Sequence, residues 1–226
     1  MEPLEGANQT SEGRFLFPRW ANTAPTIVAV VLGGVVTVVV LAAWYYLTNK
    51  HIEVGYQPAQ PVEFSHKLHA GDLGMDCRYC HSTVERSPLA AVPPTQTCMN
   101  CHSKVKADSP LLEVVRQSAR TEAPIPWVRV HNLADYVYFD HSVHLTAGVG
   151  CSTCHGRVDQ MPRVTQREPL SMSWCTDCHR APGRFLRQPG QITDMAWQPP
   201  EPTAAPAVAA NGRQVNPPLH CSGCHR

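Results

Sequence analysis

Aromatic bulk is scarce in this chain. Five phenylalanines occur in 226 residues, and all aromatic side chains together make up 7%. Charge is sparse too, at 16%, and nearly balanced, with a net charge of +1. There is no long basic run, so charge does not point to a nucleic-acid partner. No Ser/His/Asp set, phosphate-cradling glycine loop or paired-carboxylate arrangement stands out. Much of the apolar content lies in one stretch near the N-terminus, which leaves little for a soluble core. The 21 prolines further restrict regular structure. Either the chain is partly disordered, or something other than side chains supplies its core. A final absence favours the second explanation: no cysteine lies outside one kind of unit.

That unit is Cys-x-x-Cys-His, and it occurs five times. It reads Cys77–Cys80–His81, Cys98–Cys101–His102, Cys151–Cys154–His155, Cys175–Cys178–His179 and Cys221–Cys224–His225, and it accounts for all ten cysteines. These are sites 1 to 5. The unit is the attachment signature of c-type haem, so the sequence predicts five covalently attached haem c groups. The ten cysteines form the thioether bonds. The histidine directly after each second cysteine is placed to bind iron from one side, which assigns His81, His102, His155, His179 and His225 as proximal ligands. Five buried porphyrins would supply the missing apolar bulk.

Two other uses of ten cysteines compete. Seventeen residues separate Cys80 from Cys98 and 20 separate Cys154 from Cys175, which suits two four-cysteine zinc ribbons. The fifth pair would then lack partners, and the histidine after every pair would have no role. Five small disulfide loops leave the histidines equally unexplained.

The N-terminal segment, residues 1–24, is polar and turn-rich. Residues 25–47 then run for 23 positions without a charge, enough to cross roughly 30 Å of hydrocarbon as a helix. Trp20 before it and Trp44, Tyr45 and Tyr46 at its end suit the two interfaces. A cleaved signal peptide has a shorter apolar core and a small-residue cleavage site, whereas bulky aromatics follow Ala42 and Ala43 here. The expectation is one retained transmembrane helix in the cytoplasmic (inner) membrane. Arg14 and Arg19 precede it and Lys50 alone follows closely, a slight positive-inside bias. Since c-type haem is attached on the outer side of that membrane, residues 1–24 are expected in the cytoplasm and the haem domain in the periplasm or its equivalent. Ala29 and Gly33 would let another helix approach closely, or serve as nothing more than part of a lone anchor.

Beyond the helix, residues 48–63 read as a linker and 64–108 as a first two-haem module. Residues 109–130 read as a helix and hinge: Ser109 and Pro110 start a helix near 110–120. Leu111, Leu112, Val115 and Ala119 are its apolar face, and Pro124 and Pro126 stop it. A second two-haem module occupies 131–187. Residues 188–226 carry the fifth site behind a proline-rich segment, either a loose linker or a strap over the haems.

What occupies the far side of each iron decides between a closed electron carrier and an open, ligand-binding centre. Seven histidines remain: His51, His66, His69, His131, His141, His144 and His220. Four form two Phe-x-His-x-x-His leaders, Phe64–His69 and Phe139–His144, each just before a pair of haem sites. In a helix the two imidazoles would share one face, with Cβ atoms roughly 5–6 Å apart. They could not grip one iron from opposite sides. They are placed to close two different irons, holding both haems near one short element. His66, His69, His141 and His144 are therefore the expected distal ligands of four haems. For the fifth, His131 is the first choice, with Met161, Met172 and Met195 as alternatives whose thioether would raise the haem's potential. His220 adjoins Cys221 and is badly placed for its own iron. His51 reads as a surface residue, though it could bind a haem near the membrane.

The leader followed by two haem sites resembles the cytochrome c3/c7 type: short α-helices, long loops and little other secondary structure packed around haems. The whole chain resembles the pentahaem, membrane-anchored cytochrome c subunit of alternative complex III, a bacterial quinol-oxidising complex. The resemblance rests on Phe64–His69, Asp76–Glu85, Trp127–His131, Tyr136–His144 and Ser171–Arg180. It implies a relay rather than a catalyst alone. Quinol would be oxidised in integral-membrane and iron–sulfur subunits, and electrons would cross this chain. They would leave to a monohaem cytochrome subunit, a soluble cytochrome c or copper protein, or a terminal oxidase. The rival reading is a self-sufficient quinol dehydrogenase of the small multihaem type. In those the first haem site follows the helix closely, whereas 29 residues separate Leu47 from Cys77 here.

Overall fold

The computed structural model describes residues 18–47, 53–199, 207–209 and 211–225. Arg14, Lys50 and His51 lie outside them, as do parts of the expected N-terminal, linker and strap segments. The chain divides into two compact units, residues 1–48 and 49–226.

The first unit holds helix α1, Ala24–Leu47, entered by a 3₁₀ turn at Arg19–Asn22. It is 24 residues long, or about 36 Å at 1.5 Å per residue, and none of its side chains is buried. Thr37 Oγ1 donates to the Gly33 carbonyl of the same helix at 2.8 Å. Length and composition suit a membrane span, and they suit a signal sequence by the same measure.

The second unit is built from short helices and loops, with three isolated β-bridges among the described residues. Its helices are α2 (Cys77–Cys80), α3 (Thr95–His102), α4 (Glu113–Thr121), α5 (His141–Ala147), α6 (Cys151–His155) and α7 (Met172–Arg180). Four of the five Cys-x-x-Cys-His units lie on α2, α3, α6 and α7. The fifth forms a 3₁₀ turn, Cys221–Gly223. A helical turn puts residues i and i+3 on one face, so each cysteine pair presents both thiols to the same side.

The two leaders share chemistry but not backbone. Phe139–His144 enters α5, capped by Asp140, whose carboxylate accepts from the Ser142 and Val143 amides. Phe64–His69 enters a π-helical turn instead, Lys67–Asp72. There the chain meets residues 158–161: the Lys67 amide donates to the Met161 carbonyl at 3.0 Å. A Cβ at Gly71 would sit 2.2 Å from the Asp159 carbonyl oxygen, so only glycine permits this approach.

Helix α4 begins near the expected position, with Pro110 opening a 3₁₀ turn at Pro110–Leu112. Val115 is buried and Leu111 is 73% exposed. The first turn's three residues per turn carry Leu111 off the apolar stripe that a continuous α-helix would give it. The expected hinge is anchored: Ile125 is buried with Val62 and Val115, and Trp127 packs against them. The expected linker is stitched in place too, at least over 53–63. The Gly55 amide donates to the Gln166 carbonyl and the Gln166 amide to the Tyr56 carbonyl. Arg163 pairs with Glu63 at 2.8 Å, and Gln60 bonds both backbone groups of Val128 across the hinge.

The apolar core is small. Among the described residues only Val62, Val84, Val115, Ile125, Ile192 and Ala209 are buried apolar side chains. A unit of this size held by protein packing alone would need far more.

Candidate haem-binding site

No disulfide joins any two of the ten cysteines. No group of three or more His, Cys, Asp or Glu side chains converges on a metal-sized point among the described residues. The cysteine pairs therefore do not form the tetrahedral clusters that zinc ribbons require.

The histidines tell more. Six of them direct Nδ1 to a backbone carbonyl: His69 to Ser65 (2.9 Å), His81 to Ala91 (2.9 Å), His102 to Val105 (2.9 Å), His141 to Pro88 (2.8 Å), His144 to Asp140 (2.7 Å) and His179 to Pro218 (2.8 Å). Such a bond fixes the proton on Nδ1 and leaves Nε2 as a free lone pair, the arrangement of a metal-bound imidazole.

The imidazoles also face one another in pairs. The centroids of His69 and His102 lie 6.2 Å apart, those of His141 and His155 6.4 Å, and those of His144 and His179 6.3 Å. A metal–imidazole bond of roughly 2 Å, with the ring centre about 1.1 Å beyond the nitrogen, puts two trans imidazoles about 6.3 Å apart. All three spacings fit one iron between each pair. His81 lies close enough to His66 to help disfavour a charge on it.

One phenylalanine separates the two histidines of each leader. Phe64 meets His66 edge-on at 4.9 Å and stacks on His69 at 4.4 Å. Phe139 repeats this with His141 and His144, both at 4.7 Å. The ring is a wedge that turns the two imidazoles to different planes. Its place two residues before the first histidine in both copies was the only sequence signal for it.

Burial favours the neutral, metal-binding form of His66, His144 and His155. It lowers His66 to a pKa of about 4 and His155 to about 3, with neighbouring histidines adding to both shifts. His144 is lowered mainly by burial as well. Burial likewise raises the Cys154 thiol to about 12, with Cys178 and Cys175 adding to the shift.

His131 packs edge-on against His155 of site 3, centroids 4.5 Å apart, and its Nε2 is buried without a partner. Burial lowers its pKa. Met161 lies beside Gly156, directly after site 3, and Met172 is exposed at the start of α7. Met195 is half-buried near Ile192. His225 has Tyr136 as a ring neighbour at 5.7 Å. His220 is exposed and reaches toward Gly223 of its own unit.

Sequence reading missed Arg187. It is buried, donates to Ser152 Oγ, Thr153 Oγ1 and the Asp194 carbonyl, and stacks on Trp197 at 4.2 Å. Burial lowers its pKa. A Cβ at Gly150 would strike its guanidinium, so the glycine before site 3 makes room for it. Nothing in its local sequence marked it.

Residues 62–122 and 137–226 match the family described as cytochrome c7 and related cytochrome c. The chain belongs to that family. It is therefore a multihaem electron-transfer cytochrome, with c-type haem bound covalently, and its short helices and loops are the family's architecture. Over 100 residues it is 36% identical to the menaquinone reductase, multihaem cytochrome c subunit, of Nitratidesulfovibrio vulgaris. The match covers 44% of this chain and about half of that relative, 47%.

Proposed function

We propose that the chain is a pentahaem relay, anchored by α1 in the cytoplasmic membrane, with residues 1–24 inside and the haem unit outside. The observation that carries the reading is the set of facing imidazole pairs at iron-spanning distance. Each haem supplies a one-electron ferric/ferrous couple. The chain's residues hold and close those irons: the ten cysteines attach, and His81, His102, His155, His179 and His225 bind from the near side. His66, His69, His141 and His144 close sites 1 to 4 from the far side. Protein ligands on both faces exclude small substrates, which favours conduction over catalysis. For the fifth iron His131 is the first choice and Met161, Met172 or Met195 are the alternatives, and near-infrared spectroscopy separates the two classes of ligand.

Within a larger assembly the chain would link the membrane quinone pool to a redox partner outside the membrane. Our first reading is alternative complex III, with electrons from quinol arriving through integral-membrane and iron–sulfur subunits. They would pass to a monohaem subunit, a soluble cytochrome c, a copper protein or a terminal oxidase. A second reading has support from the relative's name: flow in the opposite direction, into menaquinone. Purification from its native membrane tests both. A large quinone-reactive complex is expected to accompany the chain. Reduction of its haems by added quinol supports the first direction, and rapid reoxidation by a menaquinone analogue the second. Quinol oxidation by the isolated subunit would instead make it a self-sufficient dehydrogenase.

A further inference from the structure

The five sites need not conduct in the order in which they are written. The contacts between them define a different sequence, and it deepens the relay reading on which it rests.

Sites 1 and 2 are joined within the first module. Their leader supplies His66 and His69 from one turn, and Asn100 of site 2 donates to the Tyr79 hydroxyl of site 1 at 3.1 Å. Sites 3 and 4 are joined in the same way, through His141 and His144 on α5. The Cys154 thiol lies close to those of Cys175 and Cys178. Site 5 lies against site 4: Pro218, three residues before Cys221, accepts from His179 Nδ1 at 2.8 Å. The Cys224 carbonyl accepts from the Tyr138 amide at 2.7 Å, immediately before the second leader.

The joint between modules decides the order, and it falls between sites 1 and 3. The Cys77 and Cys151 thiols, the first cysteine of each module, are close neighbours. His141, the site 3 partner of His155, directs both its amide (3.3 Å) and its Nδ1 (2.8 Å) to the carbonyl of Pro88, in the loop after site 1. Thr193, beside site 3, donates to Asp76, the cap of α2, at 3.2 Å. The modules thus meet head to head, leaving site 2 at one extremity.

An independent observation marks the ends. Of the ten cysteines, Cys101 of site 2 and Cys221 of site 5 are exposed, and the other eight are half-buried.

We infer that the conducting order is site 2, site 1, site 3, site 4, site 5, and that one-electron partners meet the chain at the exposed edges of sites 2 and 5. Order along the chain would place site 2 between sites 1 and 3 and make site 1 a terminus. The head-to-head joint reverses the first module.

Iron positions test this directly. Anomalous diffraction at the iron edge, or a cryo-electron microscopy map, is taken on the full-length, haem-loaded protein in detergent. Five irons are expected, with sites 1 and 3 the closest pair between modules, and with only the site 2 and site 5 haem edges open to solvent. Five irons with site 2 closer to site 3 than site 1 is would overturn the order and leave the relay reading standing. The chain itself covering the site 2 or site 5 edge would overturn the two-ended exchange. Fewer than five irons would overturn the pentahaem reading and the order with it.

Discussion

In the proposed relay each leader histidine would close an iron without attaching a haem, so its loss should separate ligation from attachment. His66→Ala is expected to leave covalent haem content at five and convert one low-spin haem to a high-spin, carbon-monoxide-binding form. Mass spectrometry and the visible spectrum check the two halves of that claim. Loss of covalent haem as the first effect would mean that His66 is structural. His131, whose Nε2 is buried without a partner beside His155, makes the matching prediction for the fifth haem. His131→Ala is expected to convert the site 5 haem to a high-spin form, assigned by paramagnetic NMR. Unchanged spin states would remove His131 as that iron's ligand, and a methionine charge-transfer band in the near infrared would then identify thioether ligation.

Three attachment sites lie on very short elements, α2, α6 and the Cys221–Gly223 turn, and the start of α2 is held by one residue. Asp76 caps α2, accepting from the Arg78 amide at 2.8 Å and pairing with its guanidinium. Hydrogen bonding from Arg78 holds its carboxyl at about 2, well below the ordinary 3.8. A depressed folded pKa means the stabilisation is complete above about 3.8 and is lost as pH falls toward 2. Asp76→Ala should cost about 1 kcal/mol at neutral pH. Asp76→Asn should keep most of the cap and remove its acid dependence, both read from thermal melts across pH. Phe139 belongs to this scale too. Because its ring touches both His141 and His144, Phe139→Ala should perturb the spectra of two haems where His141→Ala perturbs one. The histidine pairs were legible as candidate ligands because their spacing repeats in register with the cysteine units. The backbone that presents them was not. The first leader folds as a π-helical turn, and this depends on Gly71 meeting the Asp159 carbonyl 88 positions away. The carbonyls of Pro88 and Pro218 that orient His141 and His179 come from loops with no pattern to mark them. The segments read as linker and hinge are stitched by Gln60, Glu63 and Ile125, whose partners are likewise distant in sequence.

At the scale of the whole chain, the scarcity of aromatic and buried apolar side chains becomes a statement about folding. Six buried apolar residues among those described cannot offset the conformational entropy of a unit the size of residues 49–226. The polar interior points the same way. Gln166 is fully buried with both side-chain polar atoms unpartnered, and His66, His131, His225 and Arg187 each bury an unpartnered nitrogen. Each such atom costs roughly 1–3 kcal/mol if it stays unsatisfied. A chain with so little core and several buried orphans folds around its cofactors, whose faces supply apolar area and whose irons and polar edges supply partners. Replacing all ten cysteines by serine should therefore abolish cooperative folding of the haem unit and leave α1 as the main helical signal in detergent. Far-ultraviolet circular dichroism and differential scanning calorimetry read this together. Replacing only Cys221 and Cys224 should leave a cooperative transition, because site 5 adds to one end of the array. A cooperative transition in the ten-serine chain would overturn the cofactor-built core, since the protein's own packing would then suffice.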